Sequence, residues 1–194
     1  MAKGNGIFCV EGEWSLNPRD QTSVLPLLNF LWDVDGVEFC HRDVVNAAAL
    51  RMLLERWSRR KFDRLPILYV PSHGERKRLL LGHFARSDCK VSLDEFEAWL
   101  ERRCRGRLIF LGACELMREK PSRWRRFLDR TRAVAVCGYT REVRWIESAA
   151  FEMLVLAAMQ ADQFTPAGAA SIKRRIMRQS GPMARRLGFR MFVR

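Results

Sequence analysis

Five short apolar runs, separated by segments of helical periodicity, constrain this chain most. They lie at residues 7–10, 37–41, 66–71, 108–112 and 133–139. Most are apolar almost throughout rather than alternating, the pattern of strands covered on both faces. Between them apolar residues recur at helical spacing, as in Leu50, Leu53, Leu54 and Trp57. Ser92 and Glu95 form a capping-box pattern ahead of Phe96, Trp99 and Leu100, and Pro26 fits the first turn of another helix. Asp43 is placed to cap a helix from about Ala47, and Thr140 a long apolar helix over residues 142–159. Strand–helix alternation of this kind predicts an α/β fold, a three-layer sandwich around a mostly parallel sheet with flavodoxin-like strand order.

Two of the runs end on chemistry. The run at 66–71 leads into Ser72-His73-Gly74, and the run at 108–112 leads into Ala113-Cys114, with one helical segment between them. Parallel neighbours joined by one crossover place their carboxyl ends side by side, where open α/β sheets build their sites. Cys114 and His73 are then a thiol nucleophile and its acid/base. Taken singly, a histidine at a strand end is a surface residue and a cysteine in an apolar run is core; the expected adjacency of the two favours the functional reading. His41 reads as structural and His83 as a loop residue.

At 194 residues the chain can bury a full core. No apolar run is long enough to span a bilayer, and Met1-Ala2-Lys3-Gly4-Asn5-Gly6 lacks the apolar stretch of a signal peptide, so a cytoplasmic location without membrane attachment is expected. The six cysteines contain no CxxC pair, which argues against a metal site. Cys9, Cys40 and Cys137 read as buried hydrophobes, Cys89 and Cys104 as exposed. Trp32, Trp57, Trp99 and Trp145 are expected mostly in the core, and Trp124, flanked by arginines, on an amphipathic surface. The net charge is +13, and residues 173–194 hold eight basic residues and no acid. That segment, from about residue 163, is expected to be basic, helical and separable from a core over residues 7–159 of a single domain. Such charge attracts polyanions or acidic partner surfaces.

Ser72-His73-Gly74 and Gly112-Ala113-Cys114, in that order and strand context, resemble the caspase-like cysteine peptidase clan. Within it they are closest to small bacterial CHAT-like proteins, and the block from Cys137-Gly138-Tyr139-Thr140 to Phe151 resembles a bacterial group of that kind. The resemblance implies a cysteine endopeptidase with a His73–Cys114 dyad, backbone N–H groups of Gly74 and Cys114 as oxyanion donors, no cofactor, a protein or peptide substrate, and a regulated bacterial effector role. Without a fused sensor domain, activation would come from a partner, from oligomerisation or from a small ligand. Clan members that cut after Arg or Lys often carry an acid two residues before the cysteine; here Gly112 stands there. Glu11, Glu13 and Glu115 are the candidates to receive a basic side chain instead, and Tyr139 and Trp145 are candidate pocket walls.

Two other readings stand beside the protease. A catalytically inactive module of the same fold would bind an anionic nucleotide signal or an acidic partner, with Arg141 and Arg144 near the strand ends; there is no P-loop sequence for ATP hydrolysis. Nucleic-acid binding through the basic C-terminal segment is disfavoured, because no helix-turn-helix, zinc finger or aromatic platform accompanies it.

Overall fold

The computed structural model describes residues 5–194; the reading of the first four residues as free of a signal peptide falls outside them. Its centre is a six-stranded sheet in the order β2-β1-β3-β7-β8-β9. Strands β1 (Ile7–Gly12), β2 (Phe39–Val44), β3 (Ile67–Pro71), β7 (Leu108–Gly112) and β8 (Ala135–Tyr139) run parallel, while β9 (Phe189–Val193) closes the sheet antiparallel to β8, Cys137 opposite Met191. All residues of β1, β3, β7 and β8 are buried, as their unbroken apolar runs require. The parallel strands follow the flavodoxin-like order.

Helices cover both faces. On one side α2 (Ala47–Trp57), α3 (Leu93–Trp99) and α4 (Pro121–Thr131) bury Leu50, Leu54, Trp57, Phe96, Trp124 and Phe127 against Phe8, Leu68 and Ile109. On the other, α1 (Leu25–Asp35), α5 (Trp145–Ala158) and α6 (Pro166–Arg186) bury Leu28, Phe151, Val155, Ile172 and Ile176 against Ile7, Tyr69 and Phe110. Near the carboxyl end of the sheet, β4 (His73–Glu75), β5 (Arg78–Leu80) and β6 (Lys90–Ser92) form a small antiparallel sheet. Ser92 caps α3 in a complete capping box with Glu95. Among the described residues no helix is long and apolar enough to cross a membrane.

Several local expectations are corrected. Asp43 belongs to β2, and Asn46 caps α2 by accepting from the Ala49 N–H at 2.9 Å. Helix α5 starts at Trp145 after an extended Arg144, rather than at residue 142 with Thr140 as its cap. The C-terminal segment is neither wholly helical nor an appendage: α6 buries four apolar side chains and β9 supplies the sixth strand. Trp124 is fully buried and stacks on Phe192 of β9, whereas Trp32 is exposed. Cys89 and Cys104 are buried, and burial pushes the Cys104 thiol up to about 12.

Candidate active site

Strands β3 and β7 bring their ends into register, Pro71 opposite Gly112, and the Ser72 N–H donates to the Gly112 carbonyl at 3.3 Å. Two residues beyond that pair stand His73 and Cys114, and both line one cleft of ≈ 100 Å³. Gly74 presses on the cysteine itself. A Cβ added there would stand 2.5 Å from the Cys114 carbonyl oxygen and 2.9 Å from its nitrogen, so the approach depends on the missing side chain.

His73 is held on three sides. Its ring lies edge-on to Trp14 and Phe84, with centroids 5.2 Å and 5.0 Å away. Its Nε2–H donates to the Trp14 carbonyl at 2.9 Å. A carbonyl only accepts, so in the neutral ring Nε2 carries the proton and Nδ1 keeps a lone pair.

The Trp14 loop is fixed in turn by Glu11, at the end of β1. One carboxylate oxygen accepts from Trp14 Nε1–H at 2.5 Å and the Val24 N–H at 2.8 Å; the other accepts from the Ser23 hydroxyl at 2.7 Å and from His41 Nε2–H at 2.6 Å. Burial alone would raise this carboxyl, but the four donors, His41 foremost, hold it below its ordinary value. All four of its acceptor positions are filled and the residue is 1% exposed, so Glu11 has nothing to offer a substrate. It is the anchor of the loop that orients His73. The same saturation weighs against a metal at Glu11, His41 and Asp43, the one cluster of such groups among the described residues.

Cys114 is half-buried. Burial raises its thiol, an effect reinforced by Glu142, Glu115 and Glu152 and opposed by the Val143 backbone N–H. It therefore rests as a thiol and needs a base to attack. Glu115, with φ of 60°, turns the chain after the cysteine, donates its N–H to the Arg141 carbonyl at 3.3 Å and pairs with Arg118 at 2.9 Å. Glu13 is exposed in a separate groove at the end of β1, with Asp20 and Asp43. Neither it nor Glu11 lines the cleft of Cys114. Tyr139 is fully buried, so it is not a wall of the cleft.

The structure adds a residue that strand-end reasoning passes over. Glu152 of α5 lines the His73–Cys114 cleft and is 4% exposed. Its carboxylate accepts from the Tyr69 hydroxyl, while the Tyr139 hydroxyl faces it without closing a well-formed hydrogen bond. Burial drives its carboxyl up to about 7, against the opposing pull of the two tyrosines. The sequence signal was a lone acid among Phe151, Met153, Leu154 and Val155.

The family described as "Family of unknown function (DUF6642)" matches residues 4–193. No curated protein matches the chain. The solved structures that share its fold include two of caspase-1. Caspase-1 from Spodoptera frugiperda has a TM-score of 0.56 at 10% identity, the match covering 98% of this chain and 87% of that one. A pro-sf-caspase-1 structure has a TM-score of 0.51 at 10% identity, with 89% and 80% covered. These values establish a caspase-like fold.

Proposed function

The chain belongs to this family of unknown function, so its activity has to be read from the cleft, and we propose that it is a caspase-like cysteine endopeptidase working through His73 and Cys114. The observation that carries this reading is a thiol and an imidazole held by one nitrogen lining one cleft, with Gly74 seated against the cysteine backbone beside it.

The proposed chemistry runs through these two side chains. As the Cys114 sulfur attacks the scissile carbonyl carbon, His73 Nδ1 takes the thiol proton. The carbonyl oxygen becomes an oxyanion, for which the Gly74 and Cys114 N–H groups are the candidate donors. His73 then gives its proton to the departing amine as the C–N bond breaks, leaving an acyl-thioester on Cys114. Water, deprotonated by His73, cleaves that ester and restores the thiol. The Trp14 carbonyl stabilises the imidazolium that forms midway, as a hydrogen-bonded acceptor does.

The alternative of an inactive module binding an anionic signal fits the cleft poorly, because its floor carries Glu152 and no Arg or Lys lines it. The narrower grouping with bacterial CHAT-like proteins, a regulated effector role and a cytoplasmic setting are part of this proposal on the sequence patterns alone. So are a protein or peptide substrate and an activating partner, oligomer or small ligand.

The test is covalent labelling with electrophilic peptide probes, followed by mass spectrometry. We expect one adduct, on Cys114, absent in Cys114→Ala and slowed by about 10²–10⁴ in His73→Ala. Labelling that survives His73→Ala at full rate, or that falls on another cysteine, overturns the dyad.

A further inference from the structure

Glu152 is an odd residue for its position. Buried charges in proteins are ordinarily paired, because an isolated one costs several kcal/mol of desolvation. This chain follows that rule elsewhere: Glu97 contacts Arg123 and Arg130, Arg107 contacts Asp63 at 2.7 Å, and Glu11 contacts His41. Glu152 forms no ion pair among the described residues, in a chain holding 35 Lys and Arg. The hydroxyls set against its carboxylate are those of Tyr69 and Tyr139.

Its placement is also specific. Gly112 lies two residues before Cys114, and a Cβ added there would stand 3.2 Å from Glu152 Oε1 and 3.0 Å from the Tyr69 ring. The carboxylate from α5 thus lies over a backbone position that has no side chain, inside the cleft that holds Cys114. Trp14 and Trp145, whose rings meet edge-to-face at 6.3 Å, line the same cleft and present the aromatic surface on which guanidinium and ammonium groups rest.

We infer that Glu152 is the specificity residue of this cleft: its carboxylate receives the cationic side chain of the residue on the acyl side of the cleaved bond, so that the protein cuts after arginine or lysine. This rests on the endopeptidase reading and names its substrate class. The missing partner of the buried acid is supplied by the substrate, which fills the cleft and pairs the charge together. Burial raises the carboxyl to about 7, so it must release its proton to pair with an arriving cation, and the preference for cationic probes should strengthen as pH rises above 7.

The experiment uses the full chain and four peptidyl chloromethyl ketones that differ only in the terminal residue, Arg, Lys, Gln or Asp, with alkylation of Cys114 followed by mass spectrometry. The Arg and Lys probes should react about 10²-fold faster than the Gln and Asp probes, because a buried charge left without its partner costs that much. In Glu152→Gln the Arg-to-Gln ratio should collapse towards one, and Glu152→Asp should keep part of it. Benzamidine should slow the Arg probe on the unaltered protein, a readout that stands if Glu152→Gln fails to fold. Labelling without preference for the Arg and Lys probes, a ratio that persists in a folded Glu152→Gln, or indifference to benzamidine overturns the inference while leaving the protease intact. Cys114 silent to all four probes overturns both.

Discussion

Two glutamates of this chain are buried and behave in opposite ways because of what surrounds them. Glu11 accepts four hydrogen bonds and is held below its ordinary value; Glu152 is pushed up to about 7. The second has a consequence for stability. Its folded value lies above the unfolded one of about 4.3, so between those pH values the native state holds a proton that the unfolded chain has lost. Stability from this group is therefore complete below about pH 4 and is lost as pH rises through 7. The groups coupled to it, Tyr69, Tyr139, Cys9, Cys137, Cys114 and Glu11, are all acids, and His73 is the one basic group that lines the same cleft. The contribution is on the order of 1.4 kcal/mol per pH unit across that window. Glu152→Gln, which cannot titrate, should flatten it: urea midpoints measured at pH 5 and pH 8 should converge relative to the unaltered protein. A parallel fall in both proteins would mean that Glu152 is already ionised. Sequence reasoning placed His73 and Cys114 because each closes an apolar strand. It offered Glu11 as a substrate contact because an acid at a strand end looks exposed, and its saturation by His41, Ser23, Val24 and Trp14 depends on contacts far along the chain. Glu152 escaped because a single acid in an apolar helix does not announce which way it faces.

At the scale of elements, the site exists because β3 and β7 end in register and the small β4–β6 sheet folds over the end of β7. Gly74 is the point of contact. Its substitution by alanine puts a methyl 2.5 Å from the Cys114 carbonyl and 3.0 Å from the Ala113 Cβ, and the only relief is to move the turn that carries the nucleophile. We expect Gly74→Ala to fold with a small loss of Tm, since the cores on either side of the sheet are untouched, and to lose about 10² in the rate of Cys114 labelling by a peptide probe. Retention of the full rate would show that β4 can shift without disturbing the cysteine, and the packing argument would fail. The elements themselves were legible where a single period ran unbroken: β1, β3, β7, β8, α2 and α3. Strand β9 was not, because Phe189-Arg190-Met191-Phe192-Val193 follows a basic helix and is too short to separate from it by pattern. Missing β9 also misplaced Trp124, whose burial depends on Phe192.

For the whole molecule, the net charge of +13 and the acidic cleft pull in different directions. A cationic side chain is welcome at Glu152, yet the peptide that carries it approaches a chain of net charge +13, on which Lys173, Arg174 and Arg178 of α6 are exposed. Electrostatic repulsion of this range acts on encounter and is screened within about 10 Å at 0.1 M salt, while a buried pair is screened far less. The two effects can be separated by peptides that share one arginine at the cleavage position and differ only in their flanks. A peptide with acidic flanks should be cleaved with the higher kcat/KM at low salt and lose that advantage as salt rises. A peptide with basic flanks should improve with salt, and the two should converge near 0.5 M, where only the Glu152 contact still discriminates. Equal salt dependence of the two peptides would mean that the basic surface of α6 does not face the path of the substrate and that its charge serves another contact.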